Sequence, residues 1–138
     1  MKGFLIDTNV ISELRKKNRA NRGVISWFDS VDADLLYLSV LVVGELRRGI
    51  ELIRRRDVVA AQNLEVWFLR LKSEFSDRVL EITGEIAELW GLLGLQRPLP
   101  PIDGMLAATA LHHGLVLVTR NVSDVESSTV QILNPFTS

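Results

Sequence analysis

The chain has 138 residues, with 17 acidic against 16 basic side chains and a formal charge of −1, a size that fits one compact domain spanning 1–138. The near-neutral balance excludes a protein that coats nucleic acid non-specifically, since that function requires a clear basic excess. The absence of cysteine excludes disulfides and thiolate metal sites, so any metal must be held by oxygen or histidine.

Apolar residues make up 47% of the chain, yet no apolar run approaches the ~18 residues of a membrane span. The opening stretch Phe4 to Ile6 is cut off by Asp7 too soon for a signal peptide, and a cytoplasmic location is expected. In chain order, Phe4-Leu5-Ile6 reads as a short buried strand whose carboxyl end enters a helix over Val10 to about Arg15, capped by Thr8 or Asn9. A basic loop follows, with Arg15, Lys16, Lys17, Arg19 and Arg22, then a short helix from Gly23 to Ser30. Leu35 to Leu38 fits a second buried strand. Ser39 caps a helix in which Val42, Val43, Leu46, Ile50 and Ile53 fall at helical spacing.

From Asp57 to about Phe75, Val58, Ala61, Leu64, Trp67, Phe68 and Leu71 recur at three and four and predict a long amphipathic helix. Val79 to Ile82 is a third strand, and Thr83 opens a helix through Ile86, Leu89, Trp90 and Leu93. Pro98, Pro100 and Pro101 interrupt the helical pattern, which resumes from Ile102 to His113 and stops at Gly114. Leu115 to Thr119 and Val130 to Leu133 complete the strands. Continuously apolar strands alternating with helices predict a parallel sheet covered on both faces, a three-layer α/β/α sandwich.

In such a sheet, ligands bind beyond the carboxyl ends of the strands, near the point where strand order reverses. Asp7 occupies such an end, although a lone Asp there also serves as a cap or turn former. Glu45 sits in the apolar run Val40-Leu41-Val42-Val43-Gly44 before it and Leu46 after, and burial there demands a cation or a donor. Asp103 opens the helix after Pro100-Pro101-Ile102, where an acid also favours the helix dipole. Thr119-Arg120-Asn121-Val122-Ser123-Asp124 follows the most strand-like run and offers Asn121 or Asp124 as a fourth member. Clustered carboxylates repel and are stable at neutral pH chiefly with a divalent cation, for which oxygen ligands select magnesium or manganese. The arginine-rich stretch Arg47, Arg48, Arg54, Arg55 and Arg56 and the first basic cluster read as solvated faces that a phosphate backbone can also use.

Four segments in order, Phe4 to Asn9, Ser39 to Gly49, Ile102 to Ala110 and Leu117 to Asn121, resemble the PIN-domain family, in particular VapC-type toxins of toxin–antitoxin pairs and their FitB-like relatives. The resemblance implies a ribonuclease whose magnesium or manganese is held by Asp7, Glu45 and Asp103, with Asp124 as fourth acid and Thr8, Asn9, Thr119 and Asn121 in support. It further implies a homodimer, an RNA substrate and a cognate antitoxin protein that inserts a segment across the active-site groove. DNA contact comes only through that antitoxin. The family often has an acid at or near Asn121, which leaves the fourth ligand open. Asp7-Thr8-Asn9 also resembles the start of phosphatases with an aspartyl nucleophile, but those want a second Asp where this chain has Asn9. His112 and His113 read as helix-end residues, and Trp27, Trp67 and Trp90 as core or interface.

Overall fold

The computed structural model describes residues 2–137. Strand β1 (Phe4–Ile6) leads into the one-turn helix α1 (Thr8–Ile11), a 3-10 segment over Ser12–Arg19 and helix α2 (Arg22–Ser30). Strand β2 (Leu36–Ser39) then feeds α3 (Val40–Arg54), which packs against the long helix α4 (Val58–Glu74). Strand β3 (Val79–Leu80) precedes α5 (Gly84–Leu92) and α6 (Pro101–His113), a second packed helix pair. The chain closes with β4 (Val116–Val118), the short α7 (Val122–Val125) and β5 (Ile132–Leu133).

Among the described residues the five strands form one sheet in the order β3-β2-β1-β4-β5, with every pair parallel. The chain therefore builds outward from β1 on one side and then crosses to the other. The crevice between the carboxyl ends of β1 and β4 is the switch point where ligands bind in sheets of this kind. Leu5 and Ile6 are both 0% exposed. Because consecutive strand residues point to opposite faces, both faces of the sheet are covered, as its continuously apolar strands predict.

Local chemistry explains the helix starts. Ser39 accepts from the Leu41 amide at 3.1 Å, Asp57 from Ala60 at 3.0 Å and Thr83 from Ile86 at 3.2 Å, each satisfying an orphan donor of the first turn. Pro101 takes the first position of α6, one residue earlier than the sequence pattern places the start, because a proline there loses no hydrogen bond.

Five expectations are corrected. The first helix is capped by Asp7 itself, whose side chain accepts from the Thr8 amide, rather than by Thr8 or Asn9. That helix ends at Ile11 instead of running to Arg15. The basic cluster that follows is an ordered 3-10 segment, not a loop, because Glu13 accepts from the Asn21 amide at 2.8 Å and ties it to the start of α2. Strand β4 begins at Val116, since the Leu115 amide closes helix α6 on the Ala110 carbonyl behind Gly114, which takes the left-handed φ of 66°. Val58, expected on the packed face of α4, is 54% exposed.

Candidate metal centre

The parallel register Phe4↔Val116, Leu5↔Leu117, Ile6↔Val118 brings Asp7 and Thr119 side by side where β1 and β4 end. The Asp7 amide continues the ladder to the Val118 carbonyl at 2.9 Å. The Asp7 carboxylate is 5% exposed and accepts three hydrogen bonds: from the Thr119 hydroxyl at 2.7 Å, the Thr8 amide at 2.7 Å and the Asn9 side-chain amide at 3.2 Å. Burial pushes its pKa above 3.8, the nearby Glu45 charge adds to that, and the three donors oppose it without cancelling it. Asn9 is fixed in turn by accepting from the Arg120 amide at 3.1 Å, while the Thr119 oxygen accepts from the Asn121 amide at 3.0 Å.

Glu45 comes from the middle of α3 and is half-buried rather than fully buried. The donor it requires is the Thr8 hydroxyl, at 2.5 Å from Oε1. Arg47 points away, to Glu51 at 2.9 Å and Glu65 at 3.1 Å, because neighbours on a helix occupy different faces. Helix α6 delivers Asp103 in its first turn. A helix dipole favours the ionised form there by roughly 0.3–1 kcal/mol. The opposite effect wins: burial, then the charges of Asp7, Asp124 and Glu45, raise the Asp103 pKa from 3.8 to about 6.

The four acids singled out from the sequence thus share one electrostatic environment at the switch point. Asp124 is exposed in the first turn of α7, yet it acts on Asp103. Asn121 precedes that helix and meets the site through its backbone amide, with no side-chain capping bond. His112 and His113 lie at the far end of α6, as expected of helix-end residues. Trp27 packs edge-on against Phe4 and Phe28, whereas Trp90 is 37% exposed. Two residues were not recognised as neighbours of the site: Ser12 and Arg15 line a cleft with Thr8 and Glu45. Their spacing from Thr8, four and then three, was the available signal.

Among the described residues, none of Asp7, Glu45, Asp103 and Asp124 forms an ion pair with lysine, arginine or histidine. No three acidic or histidine side chains among those residues stand at the spacing of ligands on a single ion. The donor set still fits a hard divalent cation: it is all oxygen, excess in negative charge and, among the described residues, without an ion-paired protein cation.

Fold and site together define a class, a parallel α/β protein with an acidic, oxygen-donor centre at the sheet switch point. The PIN domain family matches residues 4–123, and the chain belongs to it. It is 33% identical over 142 residues to VapC ribonuclease Y4jK of Sinorhizobium fredii, covering 96% of this chain and 97% of that one. Toxin FitB of Neisseria gonorrhoeae is 32% identical over 140 residues, covering 96% and 98%. The crystal structure of FitAcB from Neisseria gonorrhoeae superposes with a TM-score of 0.83 at 29% identity, covering 96% of this chain and 97% of that one.

Proposed function

We propose that the protein is a metal-dependent ribonuclease that acts as the toxin of a toxin–antitoxin pair, with Asp7, Glu45, Asp103 and Asp124 as its acidic centre. The observation that carries this reading is the set of four interacting carboxylates, none of which is ion-paired with a protein cation among the described residues. The ribonuclease and toxin names of the near-full-length relatives support it. The whole chain acts as one domain, in the cytoplasm. Its partners are an RNA substrate, a cognate antitoxin protein through which alone it meets DNA, and a second copy of itself.

Magnesium or manganese would be held by the carboxylates of Asp7, Glu45, Asp103 and Asp124. When bound, such a cation supplies charge neutralisation and Lewis acidity at a phosphodiester. The chain's own residues do the positioning. Thr119, Thr8 and Asn9 lock the Asp7 carboxylate in one orientation, and the Thr8 hydroxyl holds Glu45, so one threonine couples β1 to α3. In the metal-free chain the Asp103 pKa is raised to about 6, so below that pH its carboxyl oxygen holds a proton that a cation would have to displace.

The purified protein is expected to cleave single-stranded RNA with magnesium or manganese present and to stop when EDTA is added. Its expression alone should arrest growth. RNA left intact under every divalent ion tried would overturn the reading. A finer test addresses the fourth acid. Asp124→Ala should weaken metal binding about 10–100-fold, as read by calorimetry, whereas Asn121→Ala should change it less than threefold. The reverse order would make Asn121 the ligand.

A further inference from the structure

Two clefts run side by side along the surface between the 3-10 segment and the α3–α4 helix pair. The first, about 230 Å³, contains Thr8 and Glu45 of the acidic centre together with Arg15. The second, about 610 Å³, is lined by Arg15, Lys16, Arg19 and Asn63. Both have Arg15, Ile53 and Leu64 in their walls, so they form one groove that leaves the acidic centre with basic side chains of the 3-10 segment along one wall and the neutral Ile53, Ala60, Asn63 and Leu64 along the other.

Some of the chain's basic side chains are held in ion pairs, Lys16 of the groove among them, and others are free to meet a ligand. Arg47 and Arg54 are bound to Glu51 and Glu65, Arg78 is paired with Asp77, and Lys16 is held by Glu13 at 2.9 Å. Among the described residues Arg15 and Arg19 have no acidic partner, and both are exposed. Arg15 lines both clefts, at the junction between the acidic centre and the basic track. An unpaired guanidinium in that place matches the bidentate geometry of a phosphate. The groove continues past Arg15 to Arg19, which calls for a ligand carrying phosphates at intervals rather than a single anion.

We propose that this groove holds the stretch of single-stranded RNA flanking the cleaved bond, with Arg15 positioning the phosphate next to the acidic centre and Arg19 gripping a more distant one. The inference rests on the ribonuclease reading and adds to it a path for the strand and a dependence on substrate length. Arg15 is a positioning residue: it acts on a neighbouring phosphate and not on the reacting one.

The test compares a trinucleotide with a twelve-nucleotide RNA as substrates of the full chain. Arg15→Gln combined with Arg19→Gln should lower the ratio of kcat/KM for the long over the short substrate about tenfold, chiefly through KM. Loss of two phosphate contacts should also reduce the salt slope of long-RNA binding by about 1.4. Gly49→Glu gives an independent check, because Gly49 lines the first cleft and a Cβ there meets nothing within 4 Å. The added carboxylate should reproduce the same loss. Arg56→Gln, exposed and outside the groove, serves as the control and should leave the ratio unchanged.

An unchanged length ratio and salt slope in both groove variants, as expected if the groove instead takes a peptide chain, would overturn the proposal. So would an equal loss on both substrates, which would put Arg15 at the reacting phosphate. If the wild-type chain cuts neither RNA, the ribonuclease reading itself has failed, and the two failures are thereby distinguished.

Discussion

Asp103→Asn is expected to lower metal-dependent RNA cleavage by about 10³-fold or more, on the order of 4 kcal/mol of transition-state stabilisation, while the protein remains folded. The substitution keeps the size and planarity of the side chain, and the start of α6 rests on Pro101 with no capping bond from the residue before it, so the helix does not depend on the Asp103 carboxylate. Only the negative charge is lost. Removing it also removes repulsion from Asp7, Asp124 and Glu45, so the metal-free variant should be more stable than the wild type at neutral pH. Loss of activity joined to a gain in stability is the signature of a charged functional residue held against its own folding preference. Asp7→Asn should match it in activity but not in stability. Its new amide would face the Asn9 side-chain amide, which now donates to Asp7 at 3.2 Å, and two donors would meet. Single-turnover cleavage of a labelled RNA, with circular dichroism on the same preparations, checks both halves. Undiminished cleavage by Asp103→Asn would remove that residue from the centre.

The contrast between these two aspartates shows what the sequence could and could not reveal. Asp7 was legible as a strand-end carboxylate because Phe4-Leu5-Ile6 is continuously apolar and stops at a polar triplet. Its role as the cap of α1 was not legible, since Thr8 and Asn9 are equally good capping residues and only the folded geometry selects among three consecutive candidates. Glu45 stands out in the sequence because its surroundings are apolar, but the partner that satisfies it is Thr8, 37 positions away. Sequence spacing carries no information about such a contact until the parallel order of β1 and β2 is known. The strands are legible in the sequence, but the start of β4 is not, for a physical reason: the Leu115 side chain is buried like a strand residue while its amide completes a helix terminus. Periodicity reads side-chain burial and is blind to where a backbone donor goes. Arg15 illustrates the same limit at the site. It was visible as one of five basic residues, and nothing in composition separates it from Arg22 or Lys17, which lie outside the groove.

Divalent cations should reverse the sign of the pH dependence that the acidic centre imposes on stability. In a chelator the folded-state pKa of Asp103, about 6, lies above its ordinary value of 3.8. The folded chain therefore binds that proton more tightly than the unfolded chain, and stability falls as pH rises from about 4 through about 6. Asp7, also raised, adds to the same trend. Glu13, Glu51 and Glu65 have lowered values and act oppositely, but their window lies below 4.5. His113, lowered from 6.5 by burial, favours folding as pH rises and overlaps the window, so the informative quantity is the difference between wild type and Asp103→Asn, in which it cancels. That difference should grow in favour of the variant by on the order of 1 kcal/mol between pH 4 and pH 7, after allowing for solvent screening of a part-buried carboxyl, or about 3–5 °C in Tm. With magnesium or manganese at a hundred times its Kd, the wild type should gain about 2.7 kcal/mol at pH 7. At pH 5 protonation of Asp103 competes with the ion and the gain should shrink. Thermal melts of both proteins at the two pH values, in EDTA and in either ion, check the sequence of effects. An equal metal-induced rise in Tm for wild type and Asp103→Asn at pH 7 would place the cation elsewhere on the chain. A gain confined to the wild type, larger at the higher pH, would tie the binding energy to the carboxylates that β1, α3 and α6 deliver to the switch point.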